Sequence, residues 1–243
     1  MVCSPLIDGD DLYVQAGSGI VKLDKRNGKS IWRSLQDKGG MFGSAFSSPV
    51  IEEINGKSQV VVQTRTDLAA VNPKNGKELW KKPIKAFRGM NILTPTVIGN
   101  SIFTSSYGGK SLLFNVQKEE KITKLVQNWE NRQEGYMSGP IILGDYCYIH
   151  LRKQRITCLD MKTGETKWIS SKSFGKYMSM VSNGKEILAL DEDGTLYLID
   201  PNPEKFVIKE SRKISDSPTW AHLAVSGNQI FVRELEALAC YSW

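Results

Sequence analysis

One short pattern recurs six times along the 243 residues, at intervals of roughly 45 residues. The full pattern has a small residue, a proline and two mostly apolar residues, with a glycine a few positions later. The first four copies begin at Ser4, Ser48, Thr94 and Gly139, and two copies without the proline are centred on Met180–Val181 and Leu223–Ala224. A repeat of this length is typical of chains built from similar supersecondary units, so we expect six such units.

Each unit carries the signals of short β-strands and lacks a sustained helical period. A brief apolar strand follows each glycine, as at Leu12–Val14 in the first unit, and another follows a polar gap, as at Ile20–Leu23. Turn residues separate these runs, and a further strand ends in tryptophan in the clearest copies. The pattern predicts four short antiparallel strands in each unit.

The turn before that tryptophan has a fixed composition in three copies. An Asp or Asn stands eight residues before the Trp and a Gly four residues before it, as in Asp24, Gly28 and Trp32, in Asn72, Gly76 and Trp80, and in Asp160, Gly164 and Trp168. The Asp or Asn side chain is expected to accept hydrogen bonds from the turn backbone, and the glycine to adopt positive φ. The tryptophan is large enough to fill the gap to a neighbouring unit.

Stacked around an axis, such twisted sheets bury the faces that one sheet alone leaves exposed. We therefore predict an all-β protein, a β-propeller of about six four-stranded antiparallel blades with the last blade incomplete. A β-sandwich also has short strands and regular turns, but it does not need to repeat its sequence. The predicted domain spans residues 1–243, with units at 1–44, 45–90, 91–135, 136–174, 175–217 and 218–243.

These residues resemble a known family. The run from Leu23 to Trp32, LDKRNGKSIW, and its counterparts at Val71–Trp80 and Leu159–Trp168 are similar to the PQQ-like β-propeller repeat. That repeat occurs in quinoprotein alcohol dehydrogenases and in the lipoprotein of outer-membrane barrel assembly. The third copy departs from it by a charged insertion around Lys118–Lys124, and the fifth by an Asp200–Pro203 turn without a tryptophan.

The resemblance implies a bacterial protein outside the cytoplasm, in the periplasm or a similar compartment. The first residues do not resemble a signal peptide, so a cytoplasmic location stays open. Members of the family usually carry further N-terminal repeats and a secretion signal. The chain is therefore expected to be either the C-terminal part of a larger propeller or a six-bladed ring with one shortened blade, and its oligomeric state is open.

The composition argues against several classes of partner. Lys and Arg number 32 against 26 Asp and Glu, a net charge of +6, but the positive residues are scattered. No basic stripe with stacking aromatics predicts nucleic-acid binding, and no apolar run approaches the roughly 20 residues of a membrane-spanning helix. The four cysteines form no CxxC motif, so neither a zinc site nor a redox motif is predicted.

Two of the cysteines lie on consecutive strands of one predicted hairpin. In a symmetric hairpin Cys147 and Cys158 face each other, which leaves a cross-strand disulfide or two buried thiols open. Two buried thiols are the favoured interpretation.

An enzymatic role is the weaker interpretation. Quinoprotein dehydrogenases resemble larger propellers with adjacent cysteines and a calcium site, and here no two cysteines are adjacent. The Asp191–Gly194 run lacks the spaced carboxylates of a calcium loop and is expected to form a hairpin turn. We therefore expect no catalytic residue, cofactor or metal, with a fragment of a quinone-dependent dehydrogenase as the alternative.

A binding surface is predicted where the second strand of each unit ends. Polar, aromatic and charged residues follow that strand: Arg65, Tyr107, His150, Arg152, Asp191 and Arg233. In a propeller these positions lie near the mouth of the central channel, where loops vary freely. We expect them to bind a protein or another extended ligand at the rim, although solvated loop residues have the same composition.

Overall fold

The computed structural model describes residues 3–16, 19–37, 46–119 and 122–242. These residues form six antiparallel sheets and contain no α-helix, which confirms the predicted fold class. Five sheets have four strands and the last has three. The chain divides into two compact units, Met1–Glu134 (unit 1) and Gly135–Trp243 (unit 2). The predicted single domain stays a prediction.

Unit 1 contains three sheets, which we call blades 1 to 3. Blade 1 consists of β1 (Leu6–Asp8), β2 (Asp11–Gln15), β3 (Ile20–Asp24) and β4 (Ser30–Ser34). Blade 2 consists of β5 (Val50–Ile54), β6 (Lys57–Gln63), β7 (Asp67–Val71) and β8 (Glu78–Pro83). A short 3₁₀ helix at Phe87–Gly89 precedes blade 3, which consists of β9 (Thr96–Ile98), β10 (Ser101–Ser105), β11 (Ser111–Glu119) and β12 (Ile122–Asn131).

Unit 2 contains blades 4 to 6. Blade 4 consists of β13 (Ile141–Leu143), β14 (Tyr146–His150), β15 (Ile156–Asp160) and β16 (Thr166–Ile169). Blade 5 consists of β17 (Met178–Ser182), β18 (Ile187–Asp191), β19 (Thr195–Asp200) and β20 (Val207–Lys213). Blade 6 consists of β21 (Ala224–Ser226), β22 (Gln229–Arg233) and β23 (Leu238–Ser242).

The two middle strands of a blade carry its core. In blade 2, all five of the residues from Gln59 to Gln63 and the four from Leu68 to Val71 are buried, because neighbouring blades cover both faces. The outer strands β4 and β16 alternate exposed and half-buried residues. Continuous apolar runs therefore mark inner strands, and alternation marks the outer ones.

The turn between the third and fourth strands follows from the Asp/Asn–Gly spacing. In blade 1, Asp24 Oδ1 accepts the Arg26 N–H at 2.8 Å, and the Asp24 carbonyl accepts the Gly28 N–H at 2.8 Å. Asn72 and Asp160 make the same pair of bonds in blades 2 and 4. The glycines have φ values of 72° at Gly28, 69° at Gly76 and 76° at Gly164, which favour glycine over residues with a Cβ. A register shift follows in each ladder, where the Trp strand begins.

The charged insertion of the third copy lengthens one hairpin. β11 and β12 have nine and ten residues and pair from Ser111–Asn131 to Glu119–Ile122. Residues 120 and 121, within that insertion, lie outside the described residues. The insertion thus lengthens the third and fourth strands of blade 3, whereas its second strand, β10, keeps the five residues of β2 and β14.

The two hairpin cysteines do not face each other, so that expectation was wrong. Cys147 pairs with Leu159, whereas Cys158 pairs with Tyr148, one position along the ladder. Because successive side chains point to opposite faces of a sheet, the two thiols lie on opposite faces. Both are free and buried, and burial raises the pKa of the Cys158 thiol to about 11.

Candidate functional site

Neighbouring blades in unit 1 are joined by the tryptophan of one blade and the turn of the next. Trp32 Nε1 of blade 1 donates to the Pro73 carbonyl of blade 2 at 3.2 Å, and the Tyr13 hydroxyl donates to the same oxygen at 3.4 Å. The ring of Trp32 lies against Gly76, where an added Cβ would come within 2.7 Å of it. The glycine of the motif is therefore needed for its φ value and for this close approach.

Unit 2 repeats this contact between blades 4 and 5. Trp168 Nε1 donates to the Asn202 carbonyl at 2.9 Å, and the Tyr148 hydroxyl donates to the Pro201 carbonyl at 2.6 Å. Trp80 of blade 2 differs, since its Nε1 donates to Gln59 Oε1 at 2.8 Å and its ring joins the apolar core with Phe114 of blade 3. All three tryptophans therefore take part in contacts between neighbouring blades.

A second set of contacts joins the first strands of neighbouring blades. The Ser4 N–H donates to Ser48 Oγ at 2.9 Å, and the Ser48 N–H donates to Thr94 Oγ1 at 3.1 Å. In unit 2 the Leu223 N–H donates to Ser179 Oγ at 3.0 Å. Sequence reasoning missed this role, although the signal was present as the small hydroxyl residue that precedes proline in the repeat.

All six predicted site residues lie at one end of their blades, which we call the entry end. It is where the second strand turns into the third and where the chain enters the first strand. His150, Asp191 and Arg233 are the last residues of β14, β18 and β22. Arg65, Tyr107 and Arg152 lie in the turns that follow β6, β10 and β14.

In unit 1 the entry ends of blades 2 and 3 meet at the 3₁₀ helix. The Phe87 N–H donates to the Tyr107 carbonyl at 2.7 Å, and the two rings lie 6.0 Å apart. Gly89 lies against Arg65, which also makes a 3.2 Å ion pair with Asp37. Phe87 itself is exposed, with the Arg88 guanidinium 5.0 Å from its ring centre. Arg65 and Tyr107 therefore adjoin one exposed segment.

The last residue of the second strand is buried in blades 1 to 3. Gln15 Nε2 donates to the Ser47 carbonyl at 2.6 Å and to the Gln63 carbonyl at 3.0 Å. Gln63 Nε2 in turn donates to the Ser105 carbonyl at 3.4 Å. Each glutamine thus reaches the same position of the next blade, and we call this chain of bonds the glutamine ladder.

In unit 2 the same positions hold His150, Asp191 and Arg233, of which His150 and Asp191 are buried. His150 is fully buried, and neither ring nitrogen makes a hydrogen bond. Burial lowers the pKa of His150 to about 4, opposed in part by the backbone of Gly175. Burial raises the pKa of Asp191 to about 6, although its Oδ1 accepts the Gly175 N–H at 2.8 Å and the Glu192 N–H at 2.9 Å. Both residues therefore lie inside the entry end, next to Gly175.

The Asp191–Gly194 run forms the β18–β19 turn and holds the loop that enters blade 5. Besides the bond from Gly175 to Asp191, Glu192 accepts the Lys176 N–H at 2.8 Å and the Tyr177 N–H at 3.3 Å. The Asp191 carbonyl accepts the Thr219 hydroxyl at 2.6 Å. These carboxylates are used in fixing loops.

The two remaining predicted residues differ in what they contact. Arg152 is exposed in the turn after β14. Arg233 closes the β22–β23 turn, since its guanidinium donates to the Ala237 carbonyl at 3.2 Å and to the Glu234 carbonyl.

Sequence reasoning missed a row of aromatic side chains at the entry end of unit 2. The rings of Tyr136 and Tyr177 stack at 6.3 Å, and Tyr177 lies 5.8 Å from Trp220, which is 59% exposed. The Lys176 ammonium lies 5.3 Å from the ring centre of Tyr177. Each aromatic residue precedes the first strand of a different blade, and we call the three rings and Lys176 the aromatic row.

Across the described ranges, no group of three or more His, Cys, Asp or Glu side chains is placed to hold a metal ion. No helix in the described residues has the length and apolar character needed to cross a bilayer.

The Ser179 hydroxyl lies 3.5 Å from His222 Nδ1, but it accepts the Leu223 N–H and so belongs to the contact between blades 5 and 6.

Repeated blades joined by tryptophan and a turn are the mark of a PQQ-like propeller protein. A sequence model of one family in that class matches residues 1–170. The family is described as outer membrane protein assembly factor BamB. The chain belongs to this family. No curated protein matches it in sequence.

Solved structures share the fold over nearly the whole chain. BamB from Moraxella catarrhalis is 18% identical, with a TM-score of 0.78, and the match covers 97% of this chain and 70% of that one. The Cps50 (Swd1) β-propeller domain of Myceliophteria thermophila is 12% identical, with a TM-score of 0.62, covering 96% and 80%. Quinohemoprotein alcohol dehydrogenase from Comamonas testosteroni is 15% identical, with a TM-score of 0.60, covering 90% and 43%. These likenesses concern the fold.

Proposed function

We propose that the chain is a non-catalytic scaffold that binds a protein segment at the entry end of unit 2. Family membership supports a place in outer membrane protein assembly, and hence a location outside the cytoplasm. The observation that carries the proposal is the aromatic row, with Trp220 exposed and in contact with Tyr177. Exposed Trp and Tyr side chains that already touch one another are typical of the residues that dominate binding energy at protein interfaces.

The row is fixed in place, which lowers the entropy cost of binding. Glu192 holds the backbone on both sides of Lys176, and Thr219, next to Trp220, is bonded to Asp191. The exposed Lys176 ammonium adds a positive charge to the row, while the carboxylate of the neighbouring Glu192 is already engaged by the Lys176 and Tyr177 N–H groups. A partner segment that combines an apolar anchor with acidic residues fits this surface.

Binding to the outer membrane protein assembly machinery of the source bacterium, purified and immobilised, tests the proposal. Trp220→Ala is expected to weaken binding about thirtyfold, the effect of losing about 2 kcal/mol at a central anchor. Val225→Ala, which shortens another exposed apolar side chain of blade 6, is the matched control and is expected to bind like the wild type. Equal binding by both variants and the wild type contradicts the proposed surface.

A further inference from the structure

Four turns of the chain contain an asparagine followed by glycine and lysine. The asparagine–glycine pairs are Asn27–Gly28, Asn55–Gly56, Asn75–Gly76 and Asn183–Gly184. An asparagine in this position can lose its side-chain amide when the glycine nitrogen attacks the side-chain carbon, because glycine has no Cβ to hinder the approach. Since the three-residue sequence is the same in all four turns, differences in reactivity between them arise from the fold.

The glycine nitrogen is held by a hydrogen bond in three of these pairs. The Gly28 and Gly76 N–H groups each donate to a main-chain carbonyl at 2.8 Å, and the Gly184 N–H donates to Ser182 Oγ at 3.0 Å. The Gly56 N–H has no acceptor among the described residues, because it lies in the exposed two-residue turn between β5 and β6. The Gly56 nitrogen is therefore the most accessible of the four to solvent and to reaction.

The four asparagine side chains also differ in the atom that they use. Asn27, Asn75 and Asn183 accept main-chain N–H groups through Oδ1, at 2.9 to 3.0 Å. An aspartate offers the same kind of oxygen, so loss of the amide preserves these turns. Asn55 instead donates through Nδ2 to the Val116 carbonyl at 2.8 Å. An aspartate at position 55 has no N–H to donate and places a carboxylate oxygen against that carbonyl.

The Asn55 side chain belongs to the contact between blades 2 and 3 of unit 1. The Asn55 N–H donates to Asn100 Oδ1 at 2.8 Å, and the Asn100 carbonyl accepts the Val116 N–H at 2.8 Å. Ile54 and Val116 are both buried in the apolar core that these two blades share. Loss of the Nδ2 bond therefore takes a donor from the Val116 carbonyl and brings a negative charge to the edge of this core.

We propose that Asn55–Gly56 is a deamidation site whose modification loosens the contact between blades 2 and 3. The Gly56 nitrogen, after giving its proton to solvent, forms a bond to Asn55 Cγ. The bond from Cγ to Nδ2 then breaks and releases ammonia, which takes up a proton from solvent. Water opens the resulting cyclic imide at one of its two carbonyl carbons and yields aspartate or isoaspartate.

The reaction needs water alone, and its result is the exchange of an N–H donor for a carboxylate. This proposal is independent of the proposed function, because blades 2 and 3 belong to unit 1 and the aromatic row belongs to unit 2.

The first test compares the four pairs in the folded full chain and in the same chain in denaturant. After incubation at mildly alkaline pH, peptide mapping by mass spectrometry measures conversion at each asparagine. In the folded chain Asn55 is expected to convert about fivefold faster than the other three, the factor set by one hydrogen bond at the glycine nitrogen. In denaturant the four rates are expected to become similar, because the local sequence is shared.

The second test measures the effect of the product on the blade contact. In Asn55→Asp, hydrogen exchange at the Val116 amide is expected to speed up about tenfold, because the side-chain bond between the blades is lost and a charge is added. Asn27→Asp is the matched control in the same unit. It keeps the oxygen that accepts the Lys29 N–H, so exchange at Lys29 is expected to stay at the wild-type rate.

Two results overturn the proposal. Conversion at Asn55 no faster than at Asn27, Asn75 and Asn183 in the folded chain means that the β5–β6 turn protects its pair as well as the other turns do. Wild-type exchange at Val116 in Asn55→Asp means that the contact between blades 2 and 3 does not depend on the amide.

Discussion

Units 1 and 2 have the same contact between the tryptophan of one blade and the turn of the next, which we call the outer contact. They differ in the residue at the end of the second strand, which we call the inner position. Blades 1 and 2 are joined by Trp32 and the Pro73 turn, and blades 4 and 5 by Trp168 and the Asn202 turn, with nearly the same bonds. At the end of the second strand, unit 1 has the glutamine ladder and unit 2 has His150 followed by Asp191. The comparison shows that the outer contact is fixed by the repeat, whereas the inner position accepts different buried polar residues.

The largest effect is expected from the shared outer contact. Trp32→Ala and Trp168→Ala are each expected to lower the free energy of unfolding by about 4 kcal/mol, because each removes an indole from between blades and leaves a cavity. Urea unfolding of each variant against the wild type measures the loss. A difference above about 1 kcal/mol between the two variants contradicts the equivalence of the two outer contacts.

The two buried titratable residues at the inner position of unit 2, His150 and Asp191, are expected to change the stability of the fold with pH in opposite directions. The pKa of His150 in the folded chain is about 4, below its ordinary 6.5, so the unfolded chain binds this proton first as the pH falls. The His150 contribution to stability is therefore lost between pH 6.5 and pH 4. The pKa of Asp191 is about 6, above its ordinary 3.8, so the folded chain binds that proton first and its contribution rises over pH 6 to 3.8.

Single substitutions separate the two contributions, each about 3 kcal/mol over its range. Asp191→Asn is expected to lose stability more steeply than the wild type as the pH falls from 6.5 to 4. His150→Gln is expected to gain stability over the same range. Chemical denaturation at a series of pH values measures both slopes, and parallel curves for the two variants and the wild type contradict the assignment.

The fold was predictable because its signals are local. The spacing of Asp24, Gly28 and Trp32 specifies a turn and an outgoing strand within nine residues, and it recurs often enough to reveal the repeat. The packing of Trp32 on Gly76 follows from the same motif, since two copies of it meet. The fold class and the family followed from these positions.

The site was less predictable because its surroundings come from distant parts of the chain. Sequence reasoning selected His150 and Asp191 but not their burial, which depends on the loop around Gly175 at the start of the next repeat. The aromatic row was missed because its residues precede their strands at different distances, five for Tyr136, one for Tyr177 and four for Trp220. Only the folded chain brings these rings together.

The smallest expected effect comes from giving unit 2 the side chain of unit 1. His150→Gln places a glutamine at the position of Gln15 and Gln63, whose amides donate to carbonyls of the next blade. His150 leaves both ring nitrogens buried without a hydrogen bond, so the variant is expected to be about 1 kcal/mol more stable at pH 7.5.

Urea unfolding at that pH measures the gain, and His150→Leu is the matched control. Leucine removes the buried nitrogens and adds no hydrogen bond, so an equal gain from leucine assigns the effect to removing a buried polar group. A larger gain from glutamine means that the ladder bond has formed in blade 4. A loss of stability in the glutamine variant means that the entry end of unit 2 is built around an imidazole, and the inner contacts of the two units are then not interchangeable.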